Sequence, residues 1–124
     1  MQIPSPPPMT REPEKFDVSA ERFGPDGLVA VRGELDIATL PELERAVTRM
    51  RAQGLERLVI DLRAVEFLDS MSIELLLRLH GELTATGTDL VVVRGPLAVD
   101  RIFDLMELDR VLTLVDEPPD LTPS

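Results

Sequence analysis

Apolar residues follow two rhythms along this chain, and the changes of rhythm mark its elements. Phe16 to Phe23 alternates imperfectly between apolar and polar, as a half-buried strand does. Gly24-Pro25-Asp26-Gly27 has the chemistry of a four-residue turn, and Leu28-Val29-Ala30-Val31-Arg32-Gly33 predicts a second strand, so the two read as a hairpin. Leu40, Leu43, Val47 and Met50 then recur at helical spacing with charged residues between them. Thr39-Leu40-Pro41-Glu42 has capping-box spacing, with Thr39 as the expected N-cap; Pro41 is tolerated in a first turn, and Gly54 is a stop. Arg57-Leu58-Val59-Ile60-Asp61-Leu62 is continuously apolar apart from Asp61, the pattern of a central strand covered on both faces.

A second helix is expected from about Ser70 to Thr86. It is apolar on more than one face through Ile73, Leu75, Leu76, Leu77, Leu79 and Leu83. Part of that surface must pack on the sheet, and the remainder is a candidate docking surface. Gly87-Thr88-Asp89 ends this helix, and Leu90-Val91-Val92-Val93 predicts a strand. Gly95-Pro96 opens a third helix with Leu97, Val99, Ile102, Phe103 and Met106 on its apolar face. Val111-Leu112-Thr113-Leu114-Val115 predicts the last strand.

The order is therefore β-β-α-β-α-β-α-β. Strands alternating with helices imply a single α/β domain with a mostly parallel sheet and right-handed crossovers, and the opening hairpin adds an antiparallel edge. The domain is expected over residues 15–116. Residues 1–14 hold Pro4, Pro6, Pro7, Pro8 and Pro13 and predict a disordered, partly polyproline tail. Pro118-Pro119 breaks regular structure, so 117–124 reads as a second tail.

Composition narrows the function. A chain of 124 residues, 44% of them hydrophobic, can bury a real core. It has no Cys, so it has neither a disulfide framework nor thiolate chemistry. The N-terminal residues lack the charged and apolar regions of a signal peptide, and no apolar run approaches the ~20 residues that cross a bilayer. The expectation is a soluble cytoplasmic protein with no membrane contact. The formal charge is −10 and aromatics are only 3%, which argues against direct nucleic-acid binding. A strongly acidic surface favours basic partner surfaces.

Carboxylates fall where strands hand over to helices: Asp36, Asp61 and Asp69. Ligands of open α/β sheets sit at that edge, and three acids there suit Mg²⁺; they also suit ordinary caps and Asx-turns. The stretch Val65-Glu66-Phe67-Leu68-Asp69-Ser70 carries the chain from an apolar run straight into a helix start. Unpaired N–H groups and the dipole there favour negative charge, so a phosphate on Ser70 or Ser72 fits that end, and so does a plain N-cap at Asp69 or Ser70. Catalysis finds little support. There is no G-x-S-x-G elbow and no Walker A loop, and His80 lies farther along the same helix as Ser70 and Ser72. A phosphoaspartyl receiver with Asp61 as acceptor has a similar element order. It requires an acidic pair after its first strand and a lysine after its last, and Lys15 is the only lysine here. Ser70 reads as a substrate hydroxyl rather than a catalytic one. No catalytic residue, metal or cofactor is expected.

The stretches Gly33-Glu34-Leu35-Asp36-Ile37-Ala38-Thr39, Leu58-Val59-Ile60-Asp61-Leu62 and Val65-Glu66-Phe67-Leu68-Asp69-Ser70 resemble the STAS domain of bacterial anti-sigma factor antagonists. Gly95-Pro96-Leu97-Ala98-Val99 with Leu105-Met106-Glu107-Leu108-Asp109 resembles that family's third helix and following turn, and the likeness runs over about residues 16–115. The resemblance implies partner switching rather than enzymatic activity. The unphosphorylated antagonist binds an anti-sigma factor that is itself a serine protein kinase; phosphorylation of a serine releases it, and a serine phosphatase resets it. By position Ser70 would be the phosphoacceptor, with Ser72 the alternative. Asp36, Asp69, Ser70, Met71, Ser72 and Glu74 would face the partner. Where the family has Ser or Thr, then Gly, then Leu after the acceptor, this chain has Met71, Ser72 and Ile73. The family's last helix has no counterpart here. These departures favour the alternative of a STAS module without a phosphorylation switch, a scaffold in a signalling complex or an accessory subunit of a transporter.

Overall fold

A computed structural model describes residues 16–121. Strands β1 (Asp17–Phe23), β2 (Asp26–Leu35), β3 (Arg57–Leu68), β4 (Asp89–Val93) and β5 (Thr113–Val115) form one sheet in that order. Helices α1 (Leu40–Arg51), α2 (Ser70–Ala85) and α3 (Leu97–Leu105) connect the last four strands, with a short 3-10 turn at Leu108–Arg110 before β5. β1 runs antiparallel to β2, and every other pairing is parallel. The expected α/β class, element order and antiparallel edge are all present. The hairpin turn is tighter than expected: Phe23 pairs with Asp26, so only Gly24 and Pro25 make the bend, and Gly24 takes a φ of 61°.

Each crossover steps one strand in the same direction. Right-handed crossovers that all step one way place their helices on one face of the sheet. The core follows: Leu43, Val47, Leu76, Leu79, Val99 and Phe103 from the helices pack against Val29, Val31, Leu58, Ile60, Leu62 and Val92. The other face carries a separate cluster of Val59, Val91 and Val93. No described helix covers it. Leu28, Val115 and Leu121 pack there instead, and the Arg57 guanidinium reaches the Asp120 carbonyl at 3.5 Å. β3 is thus buried on both faces, as its apolar run predicts, but the second cover is the irregular segment after β5. Asp120 and Leu121, expected as part of a tail, are described in contact with the sheet; the expected tail over 1–14 and residues 122–124 lie outside the described residues.

Candidate functional site

β4 pairs with β3 only from Arg57 to Asp61, whereas β2 pairs with β3 up to Leu35–Leu68. The upper halves of β2 and β3 therefore rise beyond β4, flanked by β1 as far as Arg32 and then, from Gly33 and Val65, as a two-stranded arm. The register between β2 and β3 slips twice, between Ala30 and Arg32 beside β1 and between Gly33 and Glu34 in the arm. β3 inserts one extra residue at each slip, so its helix-facing positions are Leu58, Ile60, Leu62, Val65 and Leu68, a spacing that lengthens from two to three. Gly33 supports the second slip with a φ of 97°, which a side chain would resist. The arm delivers Asp36 and Asp69 side by side, and the Asp69 N–H donates to the Leu35 carbonyl at 3.3 Å.

Asp36 shapes the first turn. Its Oδ1 accepts from the N–H groups of Ala38 (2.9 Å) and Thr39 (3.2 Å). The Thr39 hydroxyl donates to the Glu34 carbonyl at 2.8 Å and accepts from the Asp36 N–H at 2.9 Å. The capping box expected at Thr39 does not form: Thr39 precedes α1 but makes no side-chain cap bond. Asp36 takes the N–H groups of Ala38 and Thr39, before the helix; the Glu42 N–H, the donor a Thr39 cap would use, goes to the Thr39 carbonyl at 3.0 Å, and the threonine hydroxyl is spent on the strand end.

Asp69 shapes the second turn. It is extended, with φ −108° and ψ −178°, and its Oδ1 accepts from the Ser72 N–H at 3.0 Å, so it is the N-cap of α2. The two serines then part company. Ser70 is the first residue of α2; it is exposed, and its hydroxyl has no partner among the described residues. Ser72 is fully buried. Its Oγ lies 2.7 Å from the Leu35 carbonyl oxygen and 2.9 Å from Asp69 Oδ1, and its single proton is shared between those acceptors. Ser72 offers no surface to a partner, whereas Met71 and Glu74 are exposed and Asp36 and Asp69 are half-buried.

Two apolar side chains at this end were not legible as site residues. Ile37 is 67% exposed in the Asp36 turn, and Phe67 is 49% exposed near the top of β3. With Met71 they put exposed apolar side chains within one or two residues of Asp36, Asp69 and Ser70. Phe67 belongs to a run that reads as buried. The second slip in β3 turns it outward, and no simple period-two pattern reports a slip.

Asp61 stands apart from Asp36 and Asp69. It pairs in the sheet with Ala30 and Val93, well below the arm. Arg63 holds it bidentately, Nε to Oδ1 at 3.0 Å and Nη2 to Oδ2 at 2.9 Å. Those hydrogen bonds, and then the charge of Asp61, raise the Arg63 pKa above its ordinary value. The three acids do not converge, and among the described residues no group of three His, Cys, Asp or Glu side chains is placed to hold a metal ion. His80 lies ten residues along α2 from Ser70, about 15 Å at the helical rise, too far to act on its hydroxyl. Among the described residues no helix is long and apolar enough to cross a membrane.

Comparison with known proteins agrees with this geometry. The model of the STAS domain matches residues 17–120. An anti-sigma-F factor antagonist of Mycobacterium tuberculosis is 31% identical over 102 residues, covering 82% of this chain and 83% of that protein. An anti-sigma-B factor antagonist of Staphylococcus aureus is 31% identical over 80 residues, covering 64% of this chain and 74% of that protein. The crystal structure of an anti-sigma factor antagonist from Mycobacterium paratuberculosis superposes with a TM-score of 0.72 at 36% identity, covering 85% of this chain and 89% of that one. By its sequence, its strand order and its arm-borne Asp-Ser junction, this chain belongs to the STAS domain family.

Proposed function

We propose that this chain is an anti-sigma factor antagonist. It docks an anti-sigma factor through the end of the β2–β3 arm and the start of α2, and phosphorylation of Ser70 releases it. The observation that carries the reading is the contrast between the two serines: Ser70 is exposed with an unpartnered hydroxyl, and Ser72 is buried and hydrogen-bonded. Only Ser70 is presented to an incoming active site. The partner would be a serine protein kinase. The Ser70 Oγ attacks the γ-phosphorus of ATP, the new O–P bond replaces the bond to ADP, and the hydroxyl proton passes to the kinase's own base. A serine phosphatase would hydrolyse the ester and reset the cycle. This chain would be the substrate and not an enzyme, acting in the cytoplasm.

The switch follows from local physics. A phosphoryl group adds about −1.5 to −2 charges. It would stand close to Asp36 and Asp69, at an end of the molecule whose rim exposes Ile37, Phe67 and Met71. Docking on that rim would then bury a dianion without a built partner, a cost of several kcal/mol. The same group sits at a helix start, which tolerates negative charge, so the domain stays folded.

Intact-mass and fragment mapping of the protein from its native host tests the site, with phosphate expected on Ser70. Titration calorimetry against the host's anti-sigma factor tests the consequence. Ser70→Ala should bind like wild type, and Ser70→Asp should bind at least about tenfold more weakly, a loss of ~1.4 kcal/mol. Equal binding by Ser70→Asp would refute the switch. The exposed Met71 beside Ser70, where the family has a small polar residue, favours a second reading: an unswitched STAS module in a signalling complex or beside a transporter. Absence of phosphate under every growth condition would select it.

A further inference from the structure

The seam between α1 and α2 is rich in ion pairs, but the pairing is uneven. Arg78 reaches Glu44 at 2.5 Å and Glu82 at 3.3 Å, and Arg51 also reaches Glu82 at 3.1 Å. Away from Ser70 the seam is thus internally neutralised. Glu74 lies one turn before Arg78 on α2, in the orientation that favours a Glu-to-Arg pair, yet Arg78 turns to the other two carboxylates. Glu74 is exposed and has no ion-pair partner among the described residues. It also lies one turn after Ser70, on the same side of the helix.

Glu74 forms one wall of a groove of roughly 380 Å³, lined further by Leu40, Glu44, Met71, Leu75 and Arg78. The exposed Met71 makes most of its apolar surface, with the edges of the otherwise buried Leu40 and Leu75 as the floor, and two of the groove's three charged groups are carboxylates, the third being Arg78. An apolar trough ending at an uncompensated carboxylate matches a long side chain with a methylene stem and a cationic head. A planar guanidinium meets a carboxylate bidentately and is less strongly hydrated than an ammonium, so arginine fits better than lysine.

We propose that this groove receives an arginine side chain of the docked anti-sigma factor, with its stem along Leu40, Met71 and Leu75 and its guanidinium on Glu74. This rests on the reading that the partner docks at this end of the molecule. It adds a specificity-determining contact one helical turn from the switch serine. Glu44 remains occupied by Arg78, so Glu74 is the recognising group.

The test uses the full chain, ¹⁵N-labelled, titrated with N-acetyl-arginine amide, and with the neutral isostere N-acetyl-citrulline amide as the control. Saturable shifts are expected at Met71, Glu74 and Leu75 with the arginine probe only, and Glu74→Gln should weaken the response about tenfold, the worth of one charge-assisted contact. No saturable shift up to the solubility limit, equal shifts with citrulline, or an undiminished response in Glu74→Gln would overturn the proposal. The probe needs no partner protein, so its outcome is independent of whether an anti-sigma factor binds. With the anti-sigma factor present, Glu74→Gln should lower affinity while Ser70→Ala does not; unchanged affinity in Glu74→Gln would overturn the contact and leave the docking reading standing.

Discussion

Ser70 and Ser72 stand two residues apart at one helix start, yet replacing each by alanine should have unequal consequences for stability. Ser72→Ala deletes the 2.7 Å hydrogen bond to the Leu35 carbonyl. The carbonyl keeps the Asp69 N–H at 3.3 Å, and Asp69 Oδ1 keeps the Ser72 N–H at 3.0 Å. Neither acceptor is stripped bare, so the loss is the net worth of one buried bond, about 1 kcal/mol. Alanine's better helix propensity returns a few tenths of that, about 0.5 kcal/mol at most. For a domain of roughly 100 residues, 1 kcal/mol corresponds to a fall in Tm of about 4–8 °C, so the net loss of about 0.5–0.8 kcal/mol predicts a fall of about 2–6 °C. Ser70→Ala removes a hydroxyl with no partner among the described residues and should stay within about 0.5 kcal/mol of wild type. Thermal melts of the full chain by circular dichroism measure both variants, and urea melts with an unchanged slope establish that the same transition is compared. A Ser72→Ala protein that melts with wild type, or a Ser70→Ala protein that falls as far, would refute the assignment of the two hydroxyls. A loss above about 3 kcal/mol would mean that the longer Asp69–Leu35 bond also fails and leaves a buried carbonyl unpaired.

Other perturbations separate the parts of the fold. Phe103→Ala empties a fully buried aromatic position on α3 and should cost about 3–5 kcal/mol, read as a lower urea midpoint. Gly33→Ala forces a side chain onto a backbone at φ 97° and should cost more than about 1 kcal/mol, by the same assay. Leu121→Asp places an unpaired carboxylate against Val59, Val91 and Val93; it should cost about 1–3 kcal/mol and raise binding of an apolar dye, and an unchanged melt would mean that the segment after β5 adds no stability.

The helices were legible because their apolar positions recur where a packed face needs them: Leu40, Leu43, Val47 and Met50 all lie in the core. The Asp69 cap was legible among alternatives because an Asp before a Leu-rich run has few other uses. The upper half of β3 was harder. Leu62, Val65 and Leu68 face the helices three residues apart, which reads as neither strand nor helix, because two inserted residues reset the pleat. The same slips hid Phe67 as a surface residue. The Thr39 capping box does not form although the spacing is right, because the Thr39 hydroxyl bonds back to the Glu34 carbonyl and the Asp36 N–H, and the Glu42 N–H goes to the Thr39 carbonyl. Asp61 looked like a companion of Asp36 and Asp69 by its place after an apolar run. The strand continues for seven more residues, Leu62 to Leu68, and leaves it in mid-sheet.

The path of the segment after β5 gives the molecule a built-in handle. That segment runs back from the end of β5 to Arg57, the first residue of β3, whereas Ser70 follows the last. A strand of 12 residues spans about 35–40 Å, less a little for its bulges. A fluorophore or surface tether placed on the exposed Asp120, whose carbonyl meets Arg57, would therefore sit near the end of β3 away from the serine. Immobilised there, every molecule would present the same end to solution. Energy transfer from such a dye to one on the incoming protein would distinguish capture at the arm from capture at the opposite rim, without a label touching either contact.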